Sequence, residues 1–129
     1  MNPYSQINGY TLSECMNGSI LFEGDSTQDI TLSDNWTNYD KTLISYHYSD
    51  IYGYVLIKQL INPVQVCLSI SYSIPQYGVA RTTYKTIKLK DNKITRTGSG
   101  YLCISENKVI DANIDENSIY INKVIGYKN

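Results

Sequence analysis

The sequence predicts an all-β protein, and three observations carry that expectation. Thirteen tyrosines stand beside many isoleucines, threonines and serines, with hardly any alanine; β-branched and aromatic side chains suit a pleated sheet, whereas helices favour alanine and unbranched chains. No stretch shows a convincing apolar recurrence at the 3.6-residue spacing of an amphipathic helix. Third, Val64, Val66, Leu68, Ile70 and Tyr72 alternate with Gln65, Cys67, Ser69 and Ser71, the period of two that lays one face of a strand on a core.

At 129 residues the chain fits one domain, and a domain of this size can bury roughly two-thirds of its unfolded surface without disulfides or metals. The expected organisation is a polar N-terminal arm over residues 1–17, where Leu12 and Met16 allow a single helical turn, and a β-sandwich over residues 18–129. Turn signals divide the latter into about eight to ten antiparallel strands, the count of a single jelly-roll-like sandwich.

Each element has a local reason. Ile20-Leu21-Phe22 is a short apolar run closed by Glu23-Gly24-Asp25-Ser26, residues that favour a turn. Ile30-Thr31-Leu32 alternates as a strand and ends at three potential caps, Ser33-Asp34-Asn35. Trp36-Thr37-Asn38-Tyr39 suits one capped turn that lays the indole over one end of the core. Lys41–Tyr48 and residues 54–60 are expected to form a hairpin around a loop at Asp50-Ile51-Tyr52-Gly53. Asn62-Pro63 then breaks the ladder, because proline has no amide hydrogen to donate. The alternating run from Val64 to Tyr72 reads as a central strand. After a loop at residues 74–78, Val79–Lys90 forms a long strand whose lysines should face water. Past the turn at Asp91-Asn92-Lys93, two strand pieces at residues 94–97 and 101–104 flank Gly98-Ser99-Gly100, a place for a bulge or bend. Val109-Ile110 gives a short piece. The last strand, residues 118–127, should set Ile119, Ile121, Lys123 and Ile125 against Tyr120, Asn122 and Val124.

Composition and motifs narrow the function classes. Eleven Lys and Arg face twelve Asp and Glu, with no long basic block, which argues against nucleic acid as a ligand. No apolar stretch approaches the ~20 residues that span a bilayer, and the N-terminus has neither a basic n-region nor an apolar h-region. The expectation is therefore a chain made and folded in a cytoplasm, without membrane insertion. Cys15, Cys67 and Cys103 are odd in number and lack C-x-x-C spacing, so free thiols are expected, with Cys67 and Cys103 as small buried apolar residues. His47 sits inside a strand with no nucleophile motif nearby, so no triad is indicated. Asp25 with Asp29, or Asp111 with Asp115 and Glu116, lack the spacing of a calcium loop and read as solvated turn acids. Gly98 and Gly100 lack the helix and lysine of a phosphate loop, and the Asn-x-Ser/Thr triplets at Asn17 and Asn35 carry no weight without a signal peptide. No catalytic set, metal or cofactor is expected.

Aromatic surface remains. Tyr46, Tyr48, Tyr52 and Tyr54 gather around one hairpin, while Tyr72, Tyr77 and Tyr84 flank another. Loops carried by a rigid sheet are the usual place for recognition. The candidate site is thus the loop pair 49–53 and 74–78: Tyr52 and Tyr77 would stack on an apolar sugar face while Asp50 and Gln76 bond its hydroxyls.

Phe22-Glu23-Gly24, Ile30-Thr31-Leu32-Ser33, Trp36-Thr37-Asn38-Tyr39-Asp40 and Leu43-Ile44-Ser45-Tyr46, with the closing run from Ile119 to Lys128, resemble the terminal β-domains of bacteriophage tail-fibre and receptor-binding proteins. The resemblance spans nearly all of residues 19–128 and rests on scaffold motifs. It implies a small homotrimeric β-sandwich on a virion that contacts other virion or tail proteins and binds a host-surface glycan or protein. It brings no catalytic residues. The rival expectations are a structural virion protein, as a capsid decoration or tail-joining piece, and a carbohydrate-binding module of an enzyme.

Overall fold

The computed structural model describes residues 6–7, 10–11, 18–58, 61–74, 79–105, 108–112 and 118–128, and among them strands dominate and no α-helix occurs. Strands β1 (Gln6–Ile7) and β2 (Tyr10–Thr11) pair with each other. The helical turn expected at Leu12 and Met16 lies outside the described residues.

Two antiparallel sheets make the body. The first contains β3 (Gly18–Ser26), β5 (Lys41–Tyr48), β6 (Ile51–Lys58) and β11 (Tyr120–Tyr127), in the order β3-β11-β5-β6. The second is a meander of β7 (Val64–Ile74), β8 (Val79–Lys90), β9 (Lys93–Ser105) and β10 (Lys108–Ala112), with the short β4 (Ile30–Thr31) pairing on β9. The layered all-β architecture is the expected one. Its connectivity is simpler than the alternation of a jelly roll, because four consecutive strands stay in one layer. Leu21, Ile44, Ile57, Ile121 and Val124 of the first sheet meet Leu68, Ile70, Ile87, Leu89 and Ile94 of the second in one buried cluster. Across that interior the Tyr46 hydroxyl donates to the Ser69 carbonyl at 3.2 Å.

One end of the sandwich is closed by the turn around Trp36. Asn35 caps a single 3₁₀ turn over Trp36–Asn38, its Oδ1 accepting from the Thr37 amide at 3.0 Å and the Thr37 hydroxyl at 2.8 Å. The indole is fully buried, as the sequence predicted, and Nε1 donates to Asn62 Oδ1 at 3.2 Å. A ring that size supplies much apolar area, and its one polar atom is satisfied.

Several local expectations are corrected. β3 does not turn at Glu23-Gly24-Asp25-Ser26; it runs on to Ser26, absorbing extra residues as register shifts against β11. β6 begins at Ile51 after a two-residue turn, Ser49-Asp50, so Tyr52 and Gly53 are strand residues. β7 is not central: among the described residues it pairs with β8 alone. The two pieces expected around Gly98-Ser99-Gly100 are one strand, and the bulge expected there is present as a register shift beside Gly98. In β11 the alternation reverses at a bulge between Ile121 and Lys123, so Val124 and Gly126 are buried with Ile119 and Ile121, while Lys123 and Ile125 turn the other way. A residue inserted on one strand flips everything after it to the opposite face. Gly126 is needed there because the Tyr39 ring lies over it: an added Cβ would stand 2.5 Å from that ring.

Two polar residues also depart from expectation. Cys67 is an exposed free thiol, because it occupies the outward phase of β7. Lys85 is buried, unlike the water-facing lysines expected along β8. It shares the inward phase with Ile87 and Leu89, and its Nζ donates to the carbonyls of Thr27 at 3.0 Å and Ile119 at 3.1 Å. Burial pushes the ammonium pKa down to about 8, with nearby Arg96 adding to the fall and Asp29 opposing it.

Trp36→Ala should cost about 3–5 kcal/mol, the usual penalty for deleting a large buried ring. Denaturant unfolding of the purified variant measures it; a variant that unfolds like the parent would show that the indole does not close the core.

Candidate functional site

The outward face of the four-stranded sheet is built in cross-strand rows, because directly paired residues of antiparallel strands share a face. The first row is aliphatic: Ile20, Ile125, Leu43 and Leu56, in partner register across β3, β11, β5 and β6. The second is Glu23, Lys123, Ser45 and Tyr54, in which the Lys123 ammonium lies 3.7 Å from the Glu23 carboxylate. The third is Tyr120, His47 and Tyr52. Tyr52, Tyr54 and Leu56 on β6 each expose more than half of their surface. These are large apolar groups to leave in water, and here they are concentrated on one sheet face.

The third row is a ring stack. His47 lies 5.0 Å from Tyr52 and 5.4 Å from Tyr120, centroid to centroid, with planes inclined by 28° and 17°. Stacking uses both faces of the imidazole and one face of each tyrosine. Among the described residues β6 is the sheet edge, so none of them adds a further strand of that sheet beside the Tyr52 face turned away from His47. That face and the Tyr54 ring form the platform on which a flat ligand can rest.

His47 also has two polar contacts. Nδ1 is 3.0 Å from the Ser49 carbonyl, and Nε2 is 2.6 Å from Asp25 Oδ1. A carbonyl can only accept, and so can an ionised carboxylate; a ring that bonds both must carry a proton on each nitrogen. The pKa agrees in direction: it is raised, chiefly by the Asp25 hydrogen bond, against a smaller lowering by burial. Below its raised pKa the ring is an imidazolium held between two phenol rings, a cation–π arrangement whose charge is balanced by Asp25.

The expected site residues are distributed as follows. Asp50 is exposed in the two-residue turn, where Ser49 takes a positive φ of 52°. Tyr52 is two residues on, projecting from β6 and not from a loop. Gln76 and Tyr77 lie outside the described residues. Of the other tyrosines in that hairpin, Tyr46 is buried and Tyr48 stacks on Tyr72 at 5.5 Å, so neither belongs to the surface. His47, Asp25 and Tyr120 are the members that sequence reasoning missed, while Tyr54 belongs to the expected aromatic hairpin but not to the expected site. Asp25 is an ion-pair partner, not a merely solvated turn acid. Among the described residues no cluster of three or more His, Cys, Asp or Glu is placed to hold a metal.

No protein-family model and no curated protein sequence matches the chain.

His47 is the only histidine, so its titration is directly visible by NMR. Its folded-state pKa should lie above 6.5 and fall in Asp25→Asn. A pKa raised on folding adds stability that is fully present below the unfolded value, ~6.5, and is lost as pH rises through the higher folded value. The melting-temperature gap between the parent and Asp25→Asn should accordingly be widest near pH 5 and narrow toward pH 8. A folded pKa at or below 6.5 would contradict the ion pair.

Proposed function

We propose that the protein is a non-enzymatic β-sandwich module of a phage virion or tail tip that binds a host cell-surface glycan or protein through the outward face of the β3-β11-β5-β6 sheet. The exposed aromatic platform at the edge of that sheet, Tyr52 with Tyr54 backed by the His47–Tyr120 stack, is the observation that supports it. Rings fixed by stacking lose little conformational entropy on binding, and they offer a sugar an apolar face with hydroxyls at the rim. Asp50, one turn away, adds a carboxylate that accepts from sugar hydroxyls. The phage setting rests on the resemblance carried by the strand and turn motifs.

A structural role inside the particle is the second reading, favoured by the aliphatic row Ile20, Ile125, Leu43 and Leu56. Such a stripe suits burial against another subunit. The homotrimer implied by the resemblance would raise the avidity of weak single sites.

Glycan-array binding, followed by host-cell adsorption, tests the first reading. Tyr52→Ala should lose at least about tenfold in affinity, or ~1.4 kcal/mol, typical of losing one stacked ring; Tyr72→Ala, on β7 of the other sheet, should bind as the parent does. Folded Tyr52→Ala and Tyr54→Ala proteins that adsorb normally would remove the platform from the account. Sedimentation equilibrium should give a three-chain species at micromolar concentration, and a stable monomer there would remove the trimer.

A further inference from the structure

We propose that the outward face of the β8–β9 hairpin is a binding site for a tetrahedral oxyanion, a phosphate or sulfate group. This face belongs to the second sheet and is independent of the aromatic platform. Lys90 pairs directly with Lys93, and Lys88 with Thr95. Their neighbours Leu89 and Ile94 are buried on the inward side, so Lys88, Lys90, Lys93 and Thr95 share the outward one. Together with Asp91 and Asn92 they line a groove of about 370 Å³.

The arrangement breaks a rule of sheet design. Like charges directly opposite each other on an antiparallel pair are destabilising, yet Lys90 faces Lys93 with Lys88 on the same strand face. No ion pair relieves any of the three among the described residues. The one carboxylate at the groove, Asp91, accepts at Oδ1 from Asn62 Nδ2 at 2.9 Å, and its single negative charge is outnumbered by the three ammonium groups. An anion seated between the ammonium groups removes the repulsion, and the Thr95 hydroxyl supplies a further donor. Three separate ammonium groups suit a compact tetrahedral anion, which does not need the planar fork of an arginine.

The groove is also held ready. Asp91 takes a positive φ of 55° at the turn, and its amide donates to Asn62 Oδ1 at 3.2 Å. The Trp36 amide donates to the Asp91 carbonyl at 3.1 Å, and the Leu32 amide to the Asn92 carbonyl at 2.7 Å. Two other segments of the chain, the β4–β5 connection and Asn62, therefore fix the hairpin end, so little ordering is left for a ligand to impose.

The test is thermal melting in sodium phosphate against sodium chloride at matched ionic strength, with amide chemical shifts followed in the same titration. Phosphate should raise the melting temperature of the parent saturably and shift the amides of residues 88–95. Lys93→Gln should melt a few degrees higher than the parent in chloride, because the repulsion is gone, and should lose at least about tenfold in phosphate affinity; Lys90→Gln gives the same reading should that variant fail to fold. Polyphosphate that binds more tightly per phosphate than the inorganic ion would place the oxyanion on a polymer, and equal affinity would assign a free ion, both supporting the site. Equal effects of chloride and phosphate, shifts spread over all lysines, retention of phosphate affinity by Lys93→Gln, or duplex DNA binding more tightly than polyphosphate would overturn it.

Discussion

The seating of β11 between β3 and β5 is the constraint on which the rest depends. This strand, last in sequence, is bonded on both sides in the first sheet, and in the strand order it stands between β3 and β5, which touch directly through the Asp25–His47 pair. Its inward residues Ile121 and Val124, with Ile119 just ahead of it, enter the core, and the Tyr127 carbonyl accepts from the Asp40 amide at 2.9 Å beside the Trp36 turn. Every row on the outward face takes a member from β11: Ile125, Lys123 or Tyr120. The outward face of this sheet is therefore a product of long-range closure. Closing so long a loop is entropically costly before any contact is made, and the buried isoleucines and the two hydrogen-bonded ladders must offset that cost together.

Lys85 ties this closure to the second sheet. A buried ammonium is costly unless its donors are met. Here it bonds the carbonyl that precedes β11 and the carbonyl of Thr27 between β3 and β4. A methionine would fill the same space but leave those carbonyls without this donor. The lysine thus fixes where two segments of the first layer sit against β8, at a desolvation cost that shows in its lowered pKa. Asn62 plays the matching part at the other polar corner, accepting from the Trp36 indole and the Asp91 amide while donating to the Asp91 carboxylate. Polar groups satisfied from several segments specify one arrangement of the layers, where apolar contacts alone tolerate sliding.

What was legible in the sequence follows from how local its cause is. β5 and β8 were found at their true bounds, and the capped turn at Trp36 was found with its indole inside, because alternation and capping are written within a few residues. The phase of β11 was missed because its bulge exists only against its neighbours, and β3 was cut short because Gly24 in a continuing strand looks the same as Gly24 in a turn. Lys85 and Cys67 were misplaced by residue type, although their phase in β8 and β7 pointed correctly inward and outward. The candidate site shows the same division. The aromatic-rich hairpin points to Tyr52, which is exposed on β6, but His47 reads as an ordinary strand histidine because Asp25 and Tyr120 reach it from strands far away in the chain. No local pattern announces a row that the sheet order alone assembles.

Native-state amide hydrogen exchange tests the role of β11 most directly, because it reports the opening free energy of each strand separately. The amides of residues 120–127 that bond to β3 and β5 should fall in the most protected class and exchange with the same opening free energy as those of Lys41–Tyr48. Exchange of β11 orders of magnitude faster than β5, with the rest of the sheet still protected, would mean that the strand frays independently and that the aromatic face does not depend on it.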